Sequence, residues 1–439
     1  MEKARPTAST PEKRVSILTH GCKLNQSDSD TLARGFQDAG YSIVGPSDQA
    51  DVYVVNTCTV THVADRKARR ALRSARKRDP SALVVATGCY AQRAPDALAA
   101  MPDVDLVAGN RDKDRLVEMV RGALSGPAPG GPDATGESAP SMARRGARCR
   151  AMVKIQEGCD QVCAYCIVPT VRGRERSIPP GDILETVRRR VGEDFKEVVL
   201  TGTQLGSYGF DIPGTSLRDM LYLLLEESGV DRLRVSSLQP QELTCGLLDL
   251  WWDRRLCPHF HMPLQSGSDR VLKRMRRRYT AREYADAVER VRSAAPDASI
   301  TADVIVGFPG EDEDDFQQSM SLVKEVGFAD LHVFPYSPRP GTSAAYMGPR
   351  IDAPTVGRRM SEMLALGRAQ GADFRNASLG AVRPVLWERS SLREGRPMLV
   401  GLTDNYLRVV AEGPASLVNS VSPARLTGRL GEDMLGEVA

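Results

Sequence analysis

The sequence predicts an α/β fold in three parts: an N-terminal parallel-sheet α/β domain, a central partial (β/α)6 TIM barrel and a small C-terminal antiparallel β-barrel. Three observations carry this expectation. From Arg14 to about Gly122, short β-branched runs alternate with amphipathic helical stretches, the pattern of a parallel sheet flanked by helices. The alternation resumes after a Gly/Pro/Ala/Ser-rich interruption and supplies six strand–helix units. From about Arg383 it gives way to short strand-like runs with Gly-rich turns.

The length of 439 residues fits about three domains. The expected divisions are a polar tail over 1–13, an α/β domain over 14–123, a linker over 124–148, a barrel over 149–375 and a small β-barrel over 376–439. The linker stretch SGPAPGGPDATGESAP buries too little surface to order itself. In the first domain, strands are expected at Val15–Thr19, Val52–Val55, Leu83–Ala86 and Val104–Ala108. In the second they are expected at Ala151–Gln156, Glu197–Leu200, Leu233–Ser237, Phe260–Leu264, Thr301–Val306 and Leu331–Phe334, separated by helices such as Asp182–Val191, Leu217–Glu227 and Ala281–Ala294. In the tail they are expected at Pro384–Trp387 and Tyr406–Val410. With 41% hydrophobic and 26% charged residues, and no apolar run near the ~20 residues a membrane helix needs, the chain reads as soluble and cytosolic, with no membrane partner. A net charge of +3 does not decide on a nucleic-acid partner; clustering must.

Nine cysteines without a secretory signal point to metal ligation rather than disulfides. Cys22, Cys58 and Cys89 each lie just past an expected parallel strand, on the carboxyl edge where such sheets bind ligands. For each alone, the alternative is a buried apolar thiol. Cys159, Cys163 and Cys166 form a CxxxCxxC loop after the first barrel strand. Three thiolates at this spacing fit a metal cluster and leave one iron without a protein ligand; the alternative is a structural zinc, which normally closes with a fourth ligand that is not evident here. Cys149, Cys245 and Cys257 fit neither set. His261, on an expected strand, has two readings, a ligand and, more often for an isolated histidine, a satisfied core residue; it is left out of the site.

The CxxxCxxC loop resembles the signature of the radical S-adenosylmethionine superfamily, and its surroundings resemble the methylthiotransferase branch. The similar stretches are HGCKLNQSDSD, NTCTVTHVADRKARR, ATGCYAQR, QEGCDQVCAYCIVPTVRGRERS, LTGTQLGSYG, RVSSLQPQE, HMPLQSGSDRVLKRMRRRYT, DVIVGFPGE and FPYSPRPGT, and GLTDNYLRVV extends the match into the tail. The resemblance implies one four-iron cluster on Cys159, Cys163 and Cys166, an auxiliary four-iron cluster on Cys22, Cys58 and Cys89, and S-adenosylmethionine as cofactor. It also implies a TRAM-like RNA-binding C-terminal barrel, a tRNA anticodon stem-loop as partner, an electron donor such as flavodoxin or ferredoxin, and a sulfur source. The turns carrying Gly202, Thr203 and Gln204, and Gly307 and Gly310, occupy places where this superfamily cradles the cofactor, although glycines also simply make turns.

For RNA, the run DRKARRALRSARKRD predicts a helix stopped by Pro80, with Arg66, Lys67, Arg69, Arg70, Arg73, Arg76, Lys77 and Arg78 off its buried stripe and no acid interleaved. Its alternatives are a phosphate-contacting face and a solvated one. Trp387 and Tyr406 are the candidate stacking residues of the tail. Among the family's substrates, GCKLNQ, TVTHVADRKARR and GLTDNYLRVV resemble the tRNA threonylcarbamoyladenosine branch. The isopentenyladenosine branch is the runner-up and a ribosomal-protein aspartate the third reading.

Overall fold

The computed structural model describes residues 13–125, 149–393 and 395–439. The expected tail before Lys13 and the expected linker from residue 126 onward lie outside the described residues. The chain divides into two compact units, Met1–Arg144 with Thr170–Arg172, and Arg145–Pro169 with Gly173–Ala439.

The first unit is a five-stranded parallel sheet, β1 (Arg14–Thr19), β2 (Ser42–Val44), β3 (Val52–Thr57), β4 (Leu83–Gly88) and β5 (Leu106–Ala108), in the order β2-β1-β3-β4-β5. Strand β2, with three residues, is too short to show a periodicity, and the sequence pattern does not predict it. β5 starts later than expected because Val104 N–H closes a turn onto the carbonyl of Met101. Alternation splits each strand between two cores. Tyr53, Val55, Val84 and Ala86 meet Ala68, Ala71, Leu72 and Ala75 of α2 (His62–Arg78), while Val52, Val54 and Val85 meet Leu32 and Phe36 of α1 (Lys23–Asp38). The Thr61 hydroxyl caps α2 by accepting from Ala64 N–H, and the helix ends before Pro80. The helix Leu116–Ser125 carries past the linker start expected at 124.

In the second unit β6 (Arg150–Lys154) is followed by a short ribbon, β7 (Gln156–Glu157) against β8 (Arg176–Ser177). Then come β9 (Glu197–Thr201), β10 (Arg232–Val235), β11 (His259–His261), β12 (Ser299–Val306) and β13 (Asp330–Pro335). They form two three-stranded parallel sheets, β6-β9-β10 and β11-β12-β13, which the bridges Leu233↔Leu256 and Ser237↔His261 join into one partial barrel. One face of each strand is apolar: Val198 and Leu200, Leu233 and Val235, Ile300, Ala302 and Val304 all belong to the core shared with the surrounding helices. The alternating residues Glu197, Arg232, Arg234, His259, His261, Thr301 and Asp303 fall on the opposite, inner face, so the lumen is polar.

The helix Ala353–Ala377 runs through the expected 375/376 division and leads into a closed barrel of β14 (Val382–Arg393), β15 (Arg396–Thr403), β16 (Arg408–Glu412), β17 (Val421–Leu430) and β18 (Asp433–Val438). Its pairs are antiparallel except β16 with β18. An odd number of strands alternating in direction must close with one parallel pair. This barrel is fixed to the base of the larger one. Arg234 clasps the fully buried Glu197 through two hydrogen bonds of 2.8 and 3.0 Å, Arg232 reaches the same carboxylate at 2.8 Å, and the two guanidiniums also donate to the carbonyls of Leu402, Thr403 and Asp404.

Burial alone pushes the Glu197 carboxyl up, but the charges of Arg234 and Arg232 prevail and hold it down to about 2. Its stabilisation is therefore complete above its ordinary value of 4.5 and drains as pH falls from there toward about 2. Replacement Glu197→Ala leaves two buried guanidiniums without their anion, and urea unfolding at neutral pH should show a loss of about 3–5 kcal/mol. A loss below about 1 kcal/mol, the scale of an exposed pair, would contradict this role.

Candidate active site

β1, β3 and β4 are neighbours running the same way, so their carboxyl ends lie on one edge and deliver three cysteines there. Thr57 of β3 pairs with Gly88 of β4, and the next residues are Cys58 and Cys89. Cys22 follows the adjacent β1 and occupies the N-cap of α1. Cys58 and Cys89 are buried and Cys22 is exposed. Gly88 has φ 94°, and a Cβ there would meet the Thr57 carbonyl at 2.5 Å, so only glycine lets β4 turn into Cys89 beside β3. Two asparagines brace the edge: Asn25 donates to the carbonyls of His20 (2.8 Å) and Thr57 (3.1 Å), and Asn56 donates to the carbonyl of Asn25 (2.9 Å). Asn110 donates to Cys89 Sγ at 3.5 Å. Burial, and then the neighbouring Cys89 and Cys22 sulfurs, push the Cys58 thiol up to about 12.

The second trio lies on the loop between β7 and the helix Val168–Arg172. Gly158, with φ 76°, starts the loop so close to the chain that a Cβ would sit 1.9 Å from the Arg174 carbonyl. Cys159 N–H donates to the Gly173 carbonyl, Cys166 N–H to that of Cys163, and Ala164 N–H to that of Met275. The three thiols are half-buried. Burial pushes Cys159 up to about 11 and Cys166 to about 12. Arg277 supplies the local positive charge, donating to Cys163 Sγ at 3.4 Å and to Gln239 Oε1 at 3.0 Å. Gln239 continues to Gln161 and Gln204, and Gln204 to Glu242, a carboxyl that burial raises to about 7.

Among the described residues, His261, Asp303 and His332 are the one set of three His, Cys or acidic ligands with all donor atoms within 4.8 Å of one another. Neither cysteine trio is drawn that tight.

The turn expected to hold the cofactor meets this loop. Thr203 and Gln204 N–H both donate to Gln156 Oε1 (2.8 and 2.9 Å), Gly202 packs against the Gln156 side chain, and Gln204 joins the network above. Thr203 Oγ1 and Glu175 Oε1 are buried with no hydrogen-bond partner, and Glu175 is one of the charges acting on Cys159. Buried orphan oxygens beside a cluster loop fit a polar cofactor such as S-adenosylmethionine. The other turn behaves differently. Gly307 N–H is taken by Glu311, and Gly310 gives its N–H to the Pro349 carbonyl and its carbonyl to Arg270. These bonds make the turn, and Phe308 between the two glycines packs in one cluster with Ala164 of the loop.

The basic helix is narrower than the sequence implied. Arg66, Lys67, Arg70, Arg73, Lys77 and Arg78 are exposed. Arg69 instead donates to the Tyr90 hydroxyl and Arg76 pairs with Asp105, while Arg78 stays exposed as it donates to the Pro46 carbonyl. Both aromatic expectations in the tail are corrected. Trp387 is fully buried in the small barrel's core and its Nε1 donates to Ser422 Oγ, because its inward strand position makes it a filler. Tyr406, in a turn with φ 72° and before the strand rather than in it, stacks on His259 at 4.2 Å with Arg234 over its ring. Neither ring is presented to a base. Asn25, Asn56, Gln239 and Glu242 lie inside stretches that carry the resemblance, yet nothing in the pattern singles them out, and Arg277 is hidden in the run RMRRRYT.

Comparison with known proteins agrees with this geometry. Residues 14–109 match a family model described as "Uncharacterized protein family UPF0004", and residues 153–323 match the Radical SAM superfamily. The chain is 36% identical to the threonylcarbamoyladenosine tRNA methylthiotransferase MtaB of Bacillus subtilis, over 94% of this chain and 93% of that one. It is 38% identical to the protein of that name from Aquifex aeolicus, over 91% and 97%. It is 37% identical to the tRNA-2-methylthio-N(6)-dimethylallyladenosine synthase of Geobacter metallireducens, over 98% and 99%. In fold it is similar to the radical S-adenosylmethionine methyltransferase TsrM of Kitasatospora setae, with a TM-score of 0.54, 13% identity and 73% of each chain covered. Two cysteine trios on a parallel-sheet domain and a partial barrel, with full-length relatives of this kind, establish that the chain belongs to the radical S-adenosylmethionine methylthiotransferase family.

Proposed function

We propose that the protein adds a methylthio group to carbon 2 of N6-threonylcarbamoyladenosine at position 37 of tRNA, using S-adenosylmethionine and two four-iron clusters. The observation that carries the reading is the pair of separate three-thiol anchors, Cys22, Cys58 and Cys89 on one sheet edge and Cys159, Cys163 and Cys166 on one loop. When bound, a cluster with one open iron supplies the chelation and the electron that cleave the sulfonium of S-adenosylmethionine. The chain's own residues position these groups. Arg277 holds Cys163, Thr203 and Glu175 offer oxygens to the cofactor, and Glu242 keeps a proton near neutrality beside Gln204.

Identity alone does not separate the substrate branches, since relatives of both kinds reach 37% or 38%. The polar lumen, with His261, Thr301 and Asp303, favours a polar, hydroxyl-bearing side group over an apolar dimethylallyl arm. The relatives act on tRNA rather than protein, which supports the anticodon stem-loop as partner. No described helix is long and apolar enough to cross a membrane. A cytoplasmic setting, a flavodoxin- or ferredoxin-type electron donor and a sulfur source belong to the same proposal.

Cells lacking the protein should keep threonylcarbamoyladenosine in tRNA but lose its methylthio form; nucleoside mass spectrometry showing that form undiminished rejects the assignment. In vitro, Cys163→Ala should abolish cleavage of S-adenosylmethionine, whereas Cys89→Ala should retain cleavage and stop methylthio transfer. Normal product from either variant contradicts the division of labour. For the exposed cations of α2, Arg66→Glu with Arg70→Glu should weaken tRNA binding and flatten its dependence on log salt by about 0.7–0.9 for each phosphate no longer neutralised. An unchanged slope removes α2 from the RNA surface.

A further inference from the structure

His261, Asp303 and His332 stand apart from both cysteine trios, on three consecutive parallel strands of the large barrel. Their neighbours Phe260, Ile300, Ala302, Val304 and Leu331 point into the apolar core, so alternation turns these three toward the lumen. His261 Nε2 and His332 Nδ1 each lie 3.2 Å from the same oxygen, Asp303 Oδ1, and the two rings are 5.8 Å apart. Each imidazole has an oxygen at its outer nitrogen: Ser237 Oγ is 2.8 Å from His261 Nδ1, and Asp330 Oδ2 is 3.6 Å from His332 Nε2.

We propose that His261, Asp303 and His332 form a binding site for one divalent transition-metal ion, distinct from the iron–sulfur sites. Two imidazoles and one carboxylate, their donor atoms within 4.8 Å, are the ligand set that zinc and non-haem iron or manganese take with coordination positions left open. The outer contacts to Ser237 and Asp330 do what partners of metal-bound histidines do: they fix which nitrogen faces the ion. Such an ion would complete its coordination with oxygen donors such as water, hydroxyl or carboxylate. The alternative is a metal-free Asp–His hydrogen-bonded cluster, which has the same contacts but no affinity for an ion.

The test uses anaerobically purified, cluster-reconstituted full-length protein, equilibrated with zinc chloride and freed of loose metal. Elemental analysis should give about one zinc per chain beside the about eight irons of two full clusters. His332→Ala, whose side chain is half exposed, and the milder Asp303→Asn should each lose the zinc while keeping the iron, which also shows that they fold. Manganese(II), followed by the electron paramagnetic resonance of the free ion against oxidised clusters, should bind the wild type and bind Ser237→Ala about 10- to 100-fold more weakly. Absence of zinc and manganese uptake by the wild type overturns the site, and so does undiminished uptake by both ligand variants. Either result leaves the cysteine clusters and the tRNA reading untouched.

Discussion

Each cysteine trio includes a buried thiol held where acids do not readily ionise. Cys58 and Cys166 are pushed up to about 12, mainly by burial and further by the sulfurs beside them. A thiol ligates iron only as the thiolate, so at neutral pH these positions stay protonated unless a compact positive charge arrives to displace the protons. Cluster uptake and deprotonation are one event. The fold gives Cys58 and Cys89 a common frame of its own. That frame is the sheet. The register of β3 on β4 fixes Cys58 against Cys89, and Asn25 and Asn56 tie the Cys22 turn to the same edge.

The period of two in parallel strands orders the second unit in the same way. With one face committed to the helices, every alternate residue faces the lumen, and the sequence places there groups that an ordinary barrel would fill with branched apolar side chains. At the base the cost of burying Glu197, Arg232 and Arg234 is met by their mutual pairing and by the Leu402, Thr403 and Asp404 carbonyls, so the small barrel acts as a stopper. Further along the strands lie His261 and Asp303, and past the carboxyl ends lie the cluster loop and the Thr203 turn. A closed base leaves the carboxyl end as the way in for cofactor and substrate.

What is legible in the sequence is what depends on local order. The strand runs, the cysteines just past them and the CxxxCxxC loop all declare themselves within a dozen residues, and the structure keeps them. What is not legible depends on which way a side chain points and what happens to stand opposite. Trp387 reads as an exposed aromatic of an RNA-binding barrel, yet the inward position of its strand makes it core. Tyr406 lies in a strand-like run, but its positive φ puts it in a turn and His259, distant in sequence, captures its ring. Arg69 and Arg76 look like members of a uniform basic face until Tyr90 and Asp105 take them. His261 reads as a lone core histidine because its companions Asp303 and His332 are supplied by the next two strands. Composition sets how many such groups exist; only the fold sets their company.

Without the two aromatic platforms, the proposed RNA surface has a different task. Exposed cations remain on α2, and Arg389, Arg393 and Arg408 are exposed on the small barrel. Cations without a stacking surface grip the sugar–phosphate backbone, and that grip positions a nucleic acid without reading its bases. Under the proposed function, selection of one modified adenosine falls to the polar lumen next to the cluster loop. On this division of labour, the arginines and lysines set how tightly any tRNA is held, and the barrel interior sets which nucleoside reacts.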